Sequence, residues 1–326
     1  TTTRDTLSLH DALPISRLCQ RLRVSRDHFT CCPMTAEIST VRDALTFARA
    51  QLSQIDEAAP AYEARELLEW ATDVDSVWSI REPIAPPIIH RFIDGVERRM
   101  KRVPLQHITG RMFFRGLTLR AMPGVFVCRP ETEVVAGQAI DQAREILKTR
   151  DSVRLVDLCT GSGAIACSLA HEIPKGNVFA VELSPVAFQC ARENCEKYGG
   201  GRIGLVNGDA TDPTTLADLD GSVDIVVSNP PYVPFNEAPT QAEAQRDPDM
   251  ALYGLGESGM QIPSAILARS ATLLKPGGWV IVEHSPSQSE LMRTAAQRAG
   301  FTHPQTMPDL TGRDRYLVTR RGTMPM

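Results

Sequence analysis

The chain has 326 residues, 42% apolar and 23% charged, with a formal net charge of -4 and a pI near 6.0. That length and balance suit a sizeable core in one large or two ordinary domains and exclude disorder throughout, and the acidic balance speaks against a protein that grips long nucleic acid through a basic face. The eight cysteines form no CxxC pair and no His/Cys zinc spacing, and no apolar run nears a membrane span, so a reduced, cytoplasmic, metal-free monomer is expected.

Residues 1–33 read as foreign to the rest: Thr1 to Ser16 shows no period, and a clean helical pattern opens at Met34. A non-native or disordered leader is expected there. Over 34–103 the pattern is helical. Ile38, Val41, Leu45, Ala48 and Leu52 recur every three or four residues, Tyr62, Leu67, Leu68 and Ala71 mark a second helix, and Ile88 to Val96 a third behind the breaker Pro86-Pro87. The run Arg98, Arg99, Lys101 and Arg102 reads as a solvated helix end with favourably placed cations, or as a contact for an acidic surface.

Residues 104–130 read as a β-hairpin connector, with Phe113, Phe114, Leu117, Leu119 and 125–127 in short strands and Gly110, Gly116 and Gly124 at turns. His107 is expected to be a structural hydrogen-bonder. From 131 to 326 strand and helix alternate: a helix over 131–148, strands at 153–158, 178–183, 203–206, 223–227, 279–283 and 316–319, with helices at 164–172, 185–198, 262–274 and 287–299. This alternation predicts an α/β fold, a mostly parallel sheet with helices on both faces.

Two motifs sit at strand ends in that pattern. Asp157-Leu-Cys-Thr-Gly-Ser-Gly163 follows the first strand, and Gly161 and Gly163 allow the backbone to approach a ligand that a Cβ would block. Glu182 ends the next strand, where a carboxylate can accept from both ribose hydroxyls. The loop is neither GxGxxG nor GxxxxGK[ST], which favours a nucleoside without a pyrophosphate, such as S-adenosylmethionine. A bare strand-to-helix turn is the plain alternative. Asp209, near the expected adenine position, is a candidate acceptor for its amine, with Ala210 beside it.

Asn229-Pro230-Pro231-Tyr232 directly follows another strand. Two prolines hold the backbone extended, the Asn amide offers one acceptor and two donors, and the Tyr ring offers a flat face. The set suits a planar NH2 group, an amide or an exocyclic base amine. The nitrogen of such a group is a poor nucleophile, and acceptors aimed at its hydrogens favour the geometry it reaches during attack. The Asn229 side-chain carbonyl and the Pro230 backbone carbonyl are the candidate acceptors, with Tyr232 sandwiching the group. A merely rigid loop is the alternative.

With these motifs in place, the chain resembles the HemK/PrmC family, the N5-glutamine methyltransferases of peptide chain release factors. The likeness runs from about Met34 to Arg321 and rests on several segments in order. They are RRMKRVPLQHITG ending at Gly110, RPETE at Arg129 to Glu133, the Asp157 loop, the intact NPPY, KPGG at Lys275 to Gly278 and GRDR at Gly312 to Arg315. The resemblance implies a class I methyltransferase fold with a seven-stranded Rossmann-like sheet over 131–326, behind a helical substrate-recognition domain. It implies S-adenosylmethionine held by Cys159, Thr160, Gly161, Ser162, Gly163 and Glu182, with Asp209, Ala210 and Asn229 beside it. It further implies that Asn229, Pro230, Pro231 and Tyr232 hold the glutamine of a GGQ loop.

Arg129, Glu131 and Glu133 either shape the substrate pocket, as the resemblance suggests, or cap the next helix. The sequence departs from the family at Cys159, where a glycine is usual, at Pro248-Asp-Met-Ala-Leu252 and at His284-Ser285. Two other functions remain on the sequence alone: a glutamine methyltransferase of a ribosomal protein, and a DNA amine methyltransferase, which would need a positive groove and a base-flipping pocket.

Overall fold

The computed structural model describes residues 38–56, 58–237 and 239–322, so the expected leader over 1–33 lies outside the described residues. The chain forms helices α1 (Val41–Leu52), α2 (Pro60–Thr72), α3 (Pro86–Met100) and α4 (Leu105–Thr109), then strands β1 (Arg111–Phe114) and β2 (Leu117–Arg120). Thr40 opens α1 with a reciprocal capping box to Asp43, which satisfies N–H groups the helix cannot pair itself. Ala48, Leu52, Leu67, Leu68, Phe92 and Val96 from α1, α2 and α3 are buried together, a core separate from those of the sheet.

Two local readings need correction. Pro86-Pro87 does not interrupt the pattern before α3 but begins the helix; at the first positions a proline loses no intrahelical bond and its fixed φ is already helical. Residues 125–127, expected as a short strand, are irregular, and residues 105–109 within the connector form a short helix. The hairpin itself is confined to β1 and β2, which pair through Phe114 and Leu117 around Arg115-Gly116.

Beyond the hairpin come α5 (Pro130–Leu147), β3 (Val153–Leu158), α6 (Ala164–Glu172), β4 (Gly176–Glu182), α7 (Pro185–Tyr198) and β5 (Ile203–Asn207). They are followed by β6 (Val223–Ser228), α8 (Asp249–Leu252), α9 (Gln261–Leu273), β7 (Leu274–Glu283), α10 (Ser289–Arg298), β8 (Phe301–Pro308) and β9 (Asp314–Arg321). The seven-stranded sheet has the order β5-β4-β3-β6-β7-β9-β8. β3 to β7 are parallel, and β9 is antiparallel to both its neighbours. Alternate residues feed two cores: Leu155, Val227 and Ile281 pack on one face with α5 and α6, and Val156, Val226 and Val280 on the other with α9 and α10. That is the period-two geometry of a strand covered on both faces.

The register places the site. Leu158 pairs with Val181 and with Ser228, and Ser228 with Val282. The carboxyl ends of β3, β4, β6 and β7 therefore lie level, and the residues just past each end meet at one edge. The chain order reverses on either side of β3, which is where open α/β sheets bind ligands.

Candidate active site

Past Leu158 the chain turns through Cys159, Thr160, Gly161, Ser162 and Gly163 into α6, with φ of 62° at Cys159 and 59° at Gly161. Asp157, fully buried below the turn, accepts from the Thr160 hydroxyl and from the Ala166 N–H at 3.1 Å. Burial pushes its carboxyl up to about 7 against those bonds. Glu182 closes the turn from the neighbouring strand. Its Oε2 accepts from the Gly161 N–H at 2.7 Å and its Oε1 from the Ser184 N–H at 2.8 Å. Burial raises the Glu182 pKa, and the backbone bonds oppose the rise. A Cβ added at Gly161 would meet nothing within 4 Å, so this backbone faces open space.

The Asn229-Pro-Pro-Tyr232 segment leaves β6 beside that turn. The Asn229 amide Nδ2 donates to the Thr132 hydroxyl at 3.2 Å, Thr132 donates to Glu283 Oε2 at 2.9 Å, and the Tyr232 phenol donates to Glu283 Oε1 at 3.1 Å. Glu283 ends β7 with 2% exposure, and burial pushes it up to about 7; the Tyr232 phenol is raised by burial and by that carboxylate. Behind Tyr232, its N–H donates to Leu252 O at 3.1 Å, and the buried Gln288 Nε2 donates to Tyr232 O at 2.6 Å and to Ser258 O at 2.8 Å. A Cβ at Gly259, whose φ is 65°, would meet Tyr232 O at 2.3 Å, so only glycine lets this backbone close on the motif.

Both segments open into one cavity of about 540 Å³. Cys159, Thr160, Gly161, Ser162, Glu182, Asp209, Ala210, Asn229, Pro231 and Tyr232 all line it. Asp209 is turned to its own loop, with Oδ1 accepting from the Thr211 N–H and hydroxyl, each at 2.7 Å. A further wall comes from 248–252 and from Phe235, Tyr253 and Leu255, with the Phe235 and Tyr253 rings 5.2 Å apart. Phe235, Met250 and Leu255 are exposed at its mouth.

Four of the expected site residues do not line the cavity: Gly163, Pro230, Arg129 and Glu131. Gly163 instead backs onto Ala191, 3.4 Å from where its Cβ would sit. Glu131 and Glu133 stand in the first turn of α5, and Glu131 lies 4.0 Å from Arg315. Arg129 pairs with the buried Asp247 at 2.6 Å, just ahead of the 248–252 wall; burial, opposed by Arg129, pushes Asp247 up to about 6. His107 donates from Nε2 to Val125 O at 3.0 Å and is buried, a structural role.

The basic run is not a solvated end throughout. Arg99 is buried and pairs with Glu63 and with Glu243, each at 2.6 Å, and Arg102 reaches Glu243 at 2.9 Å. The acidic surface it meets belongs to this chain. A buried guanidinium needs such partners, but nothing in the local pattern identifies a glutamate some 140 positions away.

Sequence reasoning missed Thr132, Glu283 and Gln288. Thr132 is the fourth residue of the RPETE motif, between the acids that drew attention, and Glu283 and Gln288 flank the His284-Ser285 departure. Their signal was position alone: a carboxylate at the end of a buried strand is a candidate wherever strand ends converge.

A profile described as the PrmC N-terminal domain matches residues 43–110, and one described as a methyltransferase small domain matches 117–245. The chain is 41% identical over 290 residues to a release factor glutamine methyltransferase of Bifidobacterium longum, covering 85% of this chain and 98% of that relative. The chain belongs to the release factor glutamine methyltransferase family. Family members from Streptomyces coelicolor (45% over 234 residues, 71% of this chain and 80% of the relative) and Corynebacterium glutamicum (38% over 286 residues, 86% and 99%) are also similar. A solved ribosomal protein L11 methylase from Lactobacillus delbrueckii subsp. bulgaricus is 22% identical with a TM-score of 0.44, covering 63% of this chain and 86% of that one. As a release factor glutamine methyltransferase family member the chain is an enzyme with a methyltransferase domain, and use of S-adenosylmethionine goes with that family. Among the described residues no helix is long and apolar enough to cross a membrane.

Proposed function

We propose that the protein transfers a methyl group from S-adenosylmethionine to the side-chain amide nitrogen (N5) of the glutamine in the GGQ loop of peptide chain release factors. The observation that carries this reading is the shared cavity, which Gly161 and Glu182 line together with Asn229 and Tyr232, in a chain of this family.

The residues fit the cofactor. Each Glu182 oxygen already accepts one backbone N–H and keeps lone pairs for a ribose hydroxyl, while the open side of Gly161 leaves room where a side chain would intrude. Asp209, Ala210 and Thr211 supply the wall for the base. When bound, the cofactor brings an electrophilic methyl group on a sulfonium, so the protein needs no strong base before transfer.

The chain's own residues orient the amide. Asn229 Oδ1 accepts an N–H of that amide, and Tyr232, pinned at its hydroxyl by Glu283, covers its flat face; Pro230, which does not line the cavity, serves to hold the backbone between them. The nitrogen gains the methyl group and gives up one hydrogen as a proton. Alignment of this kind accounts for roughly 7–11 kcal/mol of a barrier. Cys128 and Cys159 do not compete as nucleophiles: burial pushes Cys128 up to about 12 and raises Cys159 as well, and it is the thiolate that attacks.

On the same reading the helices over 34–103 recognise the release factor, Arg129 and Glu131 shape the substrate pocket from behind its wall, and the enzyme works in the cytoplasm as a monomer without binding nucleic acid. The test is mass spectrometry of purified release factor incubated with enzyme and cofactor. A gain of one methylene's mass on the GGQ peptide is expected. Its absence there, with a gain on a ribosomal protein or on DNA, would transfer the assignment to that substrate.

A further inference from the structure

We infer that Thr132 is a positioning residue for methyl transfer: anchored on Glu283, it fixes the Asn229 side-chain amide in the one orientation that turns Oδ1 toward the cavity. The inference rests on the functional reading above and deepens it.

A threonine hydroxyl has one hydrogen and two lone pairs. Glu283 offers two carboxylate oxygens, and each is met by a hydroxyl: Thr132 at 2.9 Å and Tyr232 at 3.1 Å. With Glu283 ionised, so that both its oxygens accept, the Thr132 hydrogen is committed to it, and toward Asn229 this hydroxyl can only accept. The Asn229 atom 3.2 Å away is then necessarily the Nδ2 donor. Its Oδ1 takes no hydrogen bond among the described residues, on a side chain that lines the cavity.

The point matters because an asparagine amide has two orientations of nearly equal shape and opposite polarity. Turned the wrong way, Asn229 would present N–H groups to the N–H groups of a substrate amide. The neighbouring Pro230 and Pro231 hold the backbone but exert no choice over that last torsion. Thr132 exerts it from α5, and Glu283 exerts it from β7 through Thr132. Both lie outside the motif: Thr132 reaches the cavity lining with only 1% exposure, and Glu283 is not part of that lining. The supporting carboxylate is pushed up by burial, and the charges facing it are Arg315 and Glu131, with the Tyr232 phenol beside it.

Thr132→Val keeps shape and loses both bonds; Thr132→Ser keeps the hydroxyl. In the full-length enzyme, Thr132→Val is expected to lower kcat on release factor about 10- to 100-fold, the range a small misplacement of a reacting group produces. KM for release factor and the Kd of the cofactor product should move by less than about threefold, a shift too small to count as a lost contact. Thr132→Ser should restore most of the rate. Wild-type kcat in Thr132→Val overturns the inference, as does an equal loss in Thr132→Ser or a parallel loss of cofactor-product binding. Neutron crystal structures of the two variants, which locate the amide hydrogens, decide the geometry apart from activity: an Asn229 amide that stays unturned in Thr132→Val also overturns it. A wild-type enzyme that fails to methylate release factor defeats the functional reading alone, and the variant structures then still judge the positioning.

Discussion

The two walls of the cavity are built differently. The glycine-turn wall is local: Asp157 supports Thr160 and Ala166 from nine positions away at most, and its outside support, Glu182, simply ends the adjacent strand. The Asn229–Tyr232 wall is assembled from afar, through Thr132, 97 positions from Asn229, and Glu283, 51 positions from Tyr232. A local wall follows from backbone geometry wherever strand, turn and helix form. A remote wall exists only once the sheet has closed. Damage to the first should appear as weaker cofactor binding and local strain, and damage to the second as lost turnover with the cofactor still held.

The largest expected effect breaks the remote wall. Asn229→Ala should lower kcat by about 10²–10³-fold, the scale for removing one acceptor or donor that acts in the transition state, while the affinity for cofactor product measured by calorimetry falls far less. Equal losses in both would erase the distinction between the walls. The local wall gives the mirror experiment. Gly161→Ala puts a methyl group into the cavity at a φ of 59°, so cofactor-product affinity should fall about tenfold or more, with a stability loss of about 1–2 kcal/mol from the left-handed backbone. Unaltered affinity would remove Gly161 from the binding surface.

A pH experiment sharpens the contrast in stability. Asp157 under one wall and Glu283 under the other are both pushed up to about 7 by burial. Their folded-state pKa values lie above the unfolded ones of 3.8 and 4.5, so the stabilisation they give is complete at low pH and is lost as pH rises through 7. Buried His107 and His284, whose pKa values are lowered from 6.5, act in the opposite sense below that value. Between about pH 6.5 and 8 the carboxyls dominate, and each contributes a decline on the order of 1 kcal/mol. Denaturant unfolding should show the fall, and Glu283→Gln should reduce it by about half, leaving the share of Asp157; an unchanged slope in that variant would contradict the assignment. The smallest effect lies at Cys159, held at a φ of 62°. Cys159→Gly relieves left-handed strain, partly offset by a freer unfolded chain, and should raise the denaturation midpoint by about 0.5–1 kcal/mol of stability.

The same contrast explains what was legible. The Asp157–Gly163 turn, Glu182 and NPPY were found as short motifs at strand ends, and all but Asp157, Leu158, Gly163 and Pro230 line the cavity. β8 was not found: its pattern is largely exposed and carries Pro304 and Pro308, features that a sheet tolerates at its edge and that resemble a loop in sequence. Pro86-Pro87 read as a break because a proline pair marks both an interruption and a helix start. Arg99 read as surface because charge runs usually are, and only the fold brings Glu63 and Glu243 to it.

By itself, then, the sequence determined the alternation of strand and helix, the helical region ahead of it, and the two motifs that carry the chemistry. These depend on periodicity and on contiguous residues, and both are written along the chain. The tertiary structure alone decided that Thr132 and Glu283 stand behind Asn229 and Tyr232, that Gln288 and Gly259 press on Tyr232, and that Arg129 acts through Asp247. Those contacts depend on which strands become neighbours and in what register, which side-chain spacing cannot specify until β3, β6 and β7 lie side by side.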